Sequence, residues 1–217
     1  MNAIPSHQFG SDACHSSWKG KFRFEVTSLL GRVISPKHRK ASSPLLQVGA
    51  GAHASPDFEN LDFYFSSGEK TKIVGHDLRY ALPYADNSFE GVFSEHTLEH
   101  LYPADSIRLI GEIHRVLKPG GVFRAIVPDL DKYVRFYNGE LPNDEFKQYG
   151  SGCEAMWCLT QNWFHQSVWN AEMMKAKMIE VGFSEAEEKS FRQSRDPRLA
   201  IDLPERAWES LYVEGVK

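Results

Sequence analysis

Two glycines that directly follow a short, mostly apolar run are the first residues whose type and spacing could do chemistry. Leu45–Val48 has the character of a buried strand, and Gly49-Ala50-Gly51 follows it. Because glycine has no β-carbon, a ligand can lie directly against the backbone of such a turn. Two glycines after a strand also form plain tight turns. The residues that follow must therefore decide between a ligand site and a turn.

The stretch after the glycines argues against a nicotinamide dinucleotide site. Such a site has a third glycine and a full helix before the next strand. Here residues 52–59 leave room for one or two helical turns that begin at Ser55-Pro56, and a strand-like run follows at 60–63. We therefore predict an unusually short first crossover.

Strand-like and helical patterns alternate along the middle of the chain. Strand-like runs occupy residues 72–78, 89–94, 122–128 and 210–216. One helix is predicted from a cap at Asp105-Ser106 to the turn at 118–121, and another covers about 168–181. This alternation predicts an α/β fold with a doubly wound parallel sheet, whose ligands bind outside the carboxyl ends of the strands.

Residues 129–166, which we name the aromatic insertion, interrupt this alternation. Their aromatic side chains are Tyr133, Phe136, Tyr137, Phe146, Tyr149, Trp157, Trp163 and Phe164. Such a segment either fills a core or lines a pocket at the carboxyl edge of the sheet. We predict a pocket.

The first forty residues form a separate unit in the predicted domain organisation. Residues 1–17 are polar and are predicted to be a leader, and residues 18–34 have apolar side chains at helical spacing, which predicts an amphipathic helix outside the sheet. Basic residues outnumber acidic ones between Lys19 and Lys40, as on a solvated helix face or, alternatively, an arm for an anionic surface. Residues 41–217 are predicted to be the main domain, with the aromatic insertion inside it.

Composition restricts the class of protein and its partners. The 217 residues are 41% hydrophobic, which suits one domain, and the formal net charge of -4 gives no general attraction for nucleic acid. No apolar run is long enough for a membrane span. An odd number of cysteines, three, argues against a disulfide framework and indicates a reducing compartment. We expect a cytoplasmic protein.

An ordered set of motifs connects the chain to a known family. The motifs lie at residues 47–51, 60–62, 76–78, 82–89, 98–101 and 112–121, and the last of them ends in the turn Leu-Lys-Pro-Gly-Gly. In this order they resemble the class I S-adenosylmethionine-dependent methyltransferases, and within these a small bacterial-type, methyltransferase-11-like group. The resemblance implies a Rossmann-like, mostly parallel seven-stranded sheet with an antiparallel last strand.

The resemblance also implies a cofactor, S-adenosylmethionine, and the residues that bind it. These are Gly49, Ala50, Gly51, Asp62, Asp77, Leu78, Ser94 and Glu95. The glycines would let backbone amides approach the ligand, and the carboxylate of Asp62 would accept both ribose hydroxyls. Asp77 would accept from the adenine amino group, with Leu78 against the ring. Ser94 and Glu95 would lie near the ammonium and sulfonium groups of the methionine arm.

The chain departs from the family pattern after its glycine turn. His53 and Pro56 stand where a longer helix is usual. The methionine end of the cofactor would therefore be less covered, and we expect the N-terminal helix or the aromatic insertion to close over it.

Catalysis of methyl transfer needs little beyond orientation and desolvation, because the sulfonium already activates the methyl group. A base matters for a hydroxyl acceptor, and imidazole suits that role near neutral pH. The candidates are His165, which we place first, His96 and His100, although His96 and His100 also suit a structural role in their loop. His96-x-x-Glu99-His100 is similar to a metal-binding Glu-x-x-Glu-His of some quinone-ring O-methyltransferases, but we predict no metal site.

The sequence thus predicts a methyltransferase that acts on a small-molecule or saccharide-type acceptor, at oxygen. A non-catalytic cofactor-binding or scaffold protein on the same fold is the alternative, because fold does not fix function.

Overall fold

A seven-stranded β-sheet runs through the centre of the protein. The computed structural model describes residues 18–34, 39–63 and 71–217. The strands are β1 Leu45–Val48, β2 Glu59–Asp62, β3 Ile73–Gly75, β4 Phe89–Glu95, β5 Leu117–Pro128, β6 Glu185–Glu188 and β7 Ser210–Val216. Their order is β3-β2-β1-β4-β5-β7-β6, and β7 runs antiparallel to both of its neighbours. The predicted sheet is confirmed. The predicted leader, residues 1–17, lies outside the described residues.

The structure describes five α-helices, two of which pack on the sheet and bury its apolar face. The five are α1 Trp18–Ile34, α2 Pro103–Val116, α3 Leu130–Tyr137, α4 Gly152–Gln161 and α5 Ala171–Glu180, and the two on the sheet are α2 and α5. Leu109, Ile110 and Ile113 of α2 join the main hydrophobic cluster, together with Met174 and Met178 of α5. None of the helices described here combines the length and hydropathy that a membrane span requires.

The sheet changes its direction of winding at β1. Val48 of β1 pairs with Leu61 of β2 on one side and with Ser94 of β4 on the other. Between β1 and β2 the chain makes one short 3₁₀ turn, Gly51–His53, as the predicted short crossover requires. Where the strand order reverses, the carboxyl ends of the strands leave a crevice, which is where ligands bind in this type of sheet.

Two element boundaries differ from the sequence prediction. α2 begins at Pro103, ahead of Asp105-Ser106, because proline suits the first turn of a helix, where its missing N–H is not needed. β5 begins at Leu117, which pairs with Phe89 before an irregularity in the register. The predicted turn at 118–121 therefore lies within the first part of β5.

Helix α1 is held by polar contacts rather than by its apolar stripe. Phe22, Val26, Leu29 and Leu30 are 63%, 38%, 54% and 52% exposed, whereas Ser28 is 2% exposed. The apolar side of an amphipathic helix is normally buried. In α1 these apolar side chains are instead exposed, and the polar Ser28 is buried.

The aromatic insertion forms a small core of its own. Tyr133 and Phe146 pack with their ring centroids 5.0 Å apart, and Ala155 and Leu159 of α4 complete the cluster. The segment therefore fills a core with some of its aromatic residues. Others line a pocket, as described below.

Candidate functional site

The glycine turn after β1 is fastened to the neighbouring strand. The N–H groups of Gly49 and Ala50 both donate to the carbonyl of Leu61, at 2.9 and 3.1 Å. The side chain of Thr97 fills the space where a β-carbon of Gly49 would lie, and Gly49 has a φ of +71°. Gly49 is thus needed for the turn and for Thr97, which is a different reason from the predicted approach of a ligand to its amide.

Gly51 and Asp62 form the open part of the same turn. The N–H of Gly51 donates to Oδ2 of Asp62 at 2.8 Å. A β-carbon at Gly51 would meet no atom nearer than that same Oδ2, 4.0 Å away. The partly buried carboxylate of Asp62 therefore stands at the carboxyl end of β2, beside a backbone surface that a ligand can approach.

Asp77 lies just beyond β3 and already holds two partners. Its Oδ2 accepts from Nη2 of Arg79 at 2.7 Å and from the hydroxyl of Ser28 in α1 at 2.5 Å. Arg79 also pairs with Glu25 of α1 at 2.8 Å. Burial favours the neutral carboxyl of Asp77, but the hydrogen bonds from Arg79 and Ser28 outweigh it and hold its pKa below the ordinary value. Leu78 joins the main hydrophobic cluster.

Ser94 and Glu95 end β4 in two different environments. The Ser94 side chain is buried, and its hydroxyl makes no hydrogen bond within the described part of the chain. Glu95 accepts the N–H of Leu203 at 3.1 Å. Burial raises the pKa of Glu95 above its ordinary value, although this hydrogen bond opposes the shift.

The polar groups at these strand ends fit a nucleoside with a charged amino-acid arm. Asp62 stands beside the open face of Gly51, and the unpartnered hydroxyl of Ser94 lies two strands away at the same edge. The fit is less direct at Asp77, because its carboxylate is already engaged by Arg79 and Ser28.

A pocket of about 430 Å³ opens next to the end of β4. Its lining combines histidine, aromatic and amide side chains. They come from the loop after β4, the aromatic insertion and the segment before β7. These residues include His96, His100, Tyr133, Tyr149, Asn162, Trp163, Phe164, His165, Arg206, Trp208 and Glu209. A pocket of this size suits a small organic molecule.

His96 has a close polar neighbour at each of its ring nitrogens. Nε2 lies 2.9 Å from the hydroxyl of Ser210, and Nδ1 lies 3.2 Å from Oε1 of Glu99. Its φ of +48° places it in the left-handed region, which a non-glycine residue seldom adopts. These contacts suit a residue that shapes the loop after β4 more than one that accepts a proton.

His165 has one ring nitrogen fixed and the other available. Nδ1 lies 2.6 Å from the carbonyl of Leu159. A carbonyl only accepts, so Nδ1 carries the hydrogen and Nε2 of the neutral ring keeps its lone pair. The preceding residues, Trp163 and Phe164, have φ values of +57° and +64°. Backbone in this region is strained, and such strain is concentrated at functional sites.

Two hydrogen bonds bring the end of the aromatic insertion to the loop after β4. The N–H groups of Gln166 and Ser167 donate to the carbonyl of Glu99 at 2.7 and 3.1 Å. The rings of His100 and His165 consequently lie 5.0 Å apart. Burial raises the pKa of the Glu99 carboxyl, but the neighbouring histidines, with His96 first among them, outweigh burial and hold that pKa below its ordinary value.

Sequence reasoning missed the contribution of the segment before β7. The Tyr133 hydroxyl donates to Oε2 of Glu209 at 2.7 Å, and Arg206 and Trp208 also line the pocket. Nothing in the spacing of these residues connects them to Tyr133, which lies 76 positions before Glu209. Their nearness to β7 is the one available signal, because β7 pairs with β5 and returns the chain to the edge where the insertion begins.

Comparisons with known proteins agree with this geometry. The model of a family described as methyltransferase domain matches residues 50–125. A solved S-adenosylmethionine-dependent methyltransferase from Archaeoglobus fulgidus is 18% identical, and the match covers 92% of this chain and 98% of that chain with a TM-score of 0.54. Another, from Mesorhizobium loti, is 17% identical over 87% and 96% of the two chains, with a TM-score of 0.48. At such identities the structural likeness concerns the fold alone.

The matched segment begins within the glycine turn, at Ala50, and contains the acids Asp62, Asp77 and Glu95 and the start of the pocket wall. Residues 50–125 of the chain therefore resemble a methyltransferase domain, and the fold is that of a solved S-adenosylmethionine-dependent methyltransferase. The cofactor of this family is S-adenosylmethionine.

Proposed function

We propose that the protein transfers a methyl group to a hydroxyl of a small-molecule or saccharide-type acceptor that binds in the 430 Å³ pocket. The observation that carries this proposal is the position of the pocket. Its wall begins at His96, directly after the Ser94-Glu95 end of β4, so an acceptor there would lie beside the methionine end of the cofactor. Aromatic rings and polar groups share the lining, which suits a ligand with both apolar faces and hydroxyls.

The proposed cofactor contacts follow the strand ends. Asp62 accepts from the ribose hydroxyls, and Gly51 provides the open backbone surface beside them. Gly49 and Ala50 hold the turn in place through Leu61. Ser94 and Glu95 face the methionine arm, where a carboxylate favours positive charge. Asp77 and Leu78 serve the adenine end, which α1 partly covers through Ser28.

His165 is the proposed general base. When bound, S-adenosylmethionine supplies a methyl group that its sulfonium already activates. The protein must then exclude water, orient the acceptor and accept the hydroxyl proton. The lone pair on Nε2 of His165 suits proton acceptance because Leu159 fixes the tautomer. His96, our second catalytic candidate, becomes a positioning residue through Ser210 and Glu99.

Calorimetry tests the cofactor half of the proposal. S-adenosylmethionine and its demethylated product should both bind the purified protein, and nicotinamide dinucleotides should not. Binding of a dinucleotide without binding of either sulfur nucleoside would overturn the assignment of the crevice. We keep the cytoplasm as the proposed location, since the thiols of Cys153 and Cys158 are free.

Methyl transfer from labelled cofactor to a panel of hydroxylated acceptors tests the catalytic half. His165→Ala should lower turnover by about 10²–10⁴ while cofactor affinity stays near wild type. His114→Gln is the matched control, because its ring packs on Phe183 away from the pocket. Full turnover in a folded His165→Ala variant would contradict the base role. Cofactor binding without turnover of any acceptor would instead favour a non-catalytic cofactor-binding protein.

A further inference from the structure

We propose that Glu99, His100 and His165 bind a divalent transition-metal cation such as Zn²⁺ in the wall of the pocket. Each side chain offers one ligand atom, and these atoms all lie within 4.8 Å of one another. A tetrahedral Zn²⁺ holds its ligand atoms about 3.3 Å apart, since each bond is about 2.0–2.1 Å long. The three side chains would therefore need to close by no more than about 1.5 Å.

The donor atoms determine which cation fits. Two imidazole nitrogens with one carboxylate oxygen suit Zn²⁺ and its neighbours in the first transition row, whereas Mg²⁺ prefers oxygen ligands alone. His100 and His165 both line the pocket. Three protein ligands leave a fourth position for water or an acceptor oxygen, as in catalytic rather than structural zinc sites.

The carboxylate of Glu99 provides an independent sign of a missing ligand. Its side chain is 1% exposed, and neither oxygen accepts a hydrogen bond within the described residues. Its nearest charged contact there is Nδ1 of His96, 3.2 Å from Oε1 but outside hydrogen-bonding geometry. His96 faces only Oε1, so Oε2 is buried without a polar partner among the described residues, and a cation bound there would compensate it.

The surroundings orient the ligands as the neighbours of metal-binding residues do. The carbonyl of Leu159 takes the Nδ1 hydrogen of His165 and leaves Nε2 free to coordinate, which is the usual arrangement around a metal-bound histidine. The N–H groups of Gln166 and Ser167 bond to the carbonyl of Glu99 and hold His165 beside it. The ligands thus come from two segments that the backbone already joins.

The geometry selects His165, not His96, as the third ligand. Nε2 of His96 is held by Ser210, and its Nδ1 faces Glu99. His96 therefore contacts the carboxylate of Glu99 without being a ligand itself. The site differs in this respect from one built on His96, Glu99 and His100 alone.

A bound cation would share Nε2 of His165 with the proposed base. In the metal-loaded protein, coordination would lower the pKa of the acceptor hydroxyl, so that solvent water could take the proton that the imidazole of His165 takes in the metal-free protein. This catalytic consequence rests on the proposed function, but the binding of the metal does not.

Metal binding can be measured without any acceptor. The full-length protein is stripped with a chelator, then titrated with Zn²⁺, Mg²⁺ and the spectroscopic probe Co²⁺. We expect Zn²⁺ to bind far more tightly than Mg²⁺, and Co²⁺ to give a ligand-field spectrum without thiolate charge-transfer bands. Thiolate bands that disappear in Cys14→Ser would place the metal elsewhere and overturn the proposal.

Variants assign the ligands. His100→Ala is the safest test of folding because His100 is exposed, and Glu99→Gln and His165→Ala complete the set. Each should weaken Zn²⁺ binding by more than the roughly 10–100-fold expected for the supporting His96→Gln. His114→Gln should leave the affinity unchanged. Wild-type Zn²⁺ affinity in folded His100→Ala would overturn the proposal, even if S-adenosylmethionine still binds and the proposed function stands.

Discussion

The side chain of Thr97 occupies the volume that a β-carbon on Gly49 would need, and its hydroxyl donates to the carbonyls of Val48 and Glu95 at 3.3 and 3.2 Å. The end of β1 and the end of β4 are therefore locked together through one threonine. The proposed cofactor crevice lies along this joint.

Two glycines in the same turn should respond differently to alanine. Gly49→Ala combines left-handed strain with a clash against Thr97, so it should lower the free energy of unfolding by about 2–5 kcal/mol. Gly51→Ala has the strain without the clash and should cost about 1–2 kcal/mol. Denaturant titration of both variants measures the difference.

A double-mutant cycle isolates the clash. Gly49→Ala should cost less in a Thr97→Gly background, because the space is then open while the strain remains. Equal costs in both backgrounds would show that Thr97 does not determine the identity of residue 49.

Asp62 should contribute directly to cofactor affinity. If its carboxylate holds the ribose hydroxyls, Asp62→Ala should weaken binding by about 1.5–3 kcal/mol, the scale of hydrogen bonds to a charged group. Calorimetry with the demethylated cofactor measures this without turnover. An unchanged affinity in a variant with a native circular dichroism spectrum would exclude the role.

Two substitutions test whether Asp77 contacts the adenine of the cofactor or only holds helix α1. They are Asp77→Asn and Ser28→Ala. Both substitutions disturb the bond that ties α1 to Asp77. Hydrogen exchange in α1 should therefore accelerate in both variants. Only Asp77→Asn should weaken cofactor binding strongly, since the proposed adenine contact needs its carboxylate. Equal losses of affinity would mean that Asp77 acts through α1 alone.

Glu95 should make cofactor binding depend on pH. Because burial raises its pKa, the carboxylate becomes protonated at a higher pH than an ordinary glutamate. As the pH decreases, affinity for the cationic S-adenosylmethionine should then begin to fall at a higher pH than an ordinary glutamate would cause, and the thioether product, which lacks the sulfonium charge, should show a smaller change. Isothermal titration at several pH values gives the comparison, and Glu95→Gln should abolish the difference between the two ligands.

The raised pKa of Glu95 has the opposite effect on the stability of the ligand-free protein, which should decrease as the pH rises. A carboxyl whose folded pKa is raised stabilises the fold while it is protonated, and that contribution is lost as the pH rises through the folded pKa. Glu95→Gln should therefore raise the melting temperature near neutral pH. A lower melting temperature would mean that the hydrogen bond from Leu203 outweighs burial.

Local patterns in the sequence were sufficient to predict the strands of the sheet and the acidic residues at the strand ends. Strands such as β4 and β7 are short, mostly apolar runs, and the turn residues 86–88 directly precede β4. The short crossover after Gly51 was visible for the same reason, because too few residues remain for a helix.

Contacts between distant segments could not be predicted in this way. The apolar spacing of α1 gave no sign that Ser28 rather than Leu29 would be buried, because the partner Asp77 lies 49 positions away. The sequence identified His165 as a residue that can act as a base. That Glu99 and His100 lie beside it could not be predicted, because this proximity depends on how the aromatic insertion folds back onto the sheet.

The carbonyl of Glu99 receives hydrogen bonds from both Gln166 and Ser167, and three residues separate Glu99 from the end of β4. One peptide group thus connects the loop beside the proposed cofactor crevice to the aromatic insertion that lines the proposed acceptor pocket. We therefore expect occupation of the proposed cofactor crevice to order the wall of the proposed acceptor pocket. Two-substrate kinetics should accordingly follow a compulsory order, in which the nucleoside arrives before the molecule that it methylates.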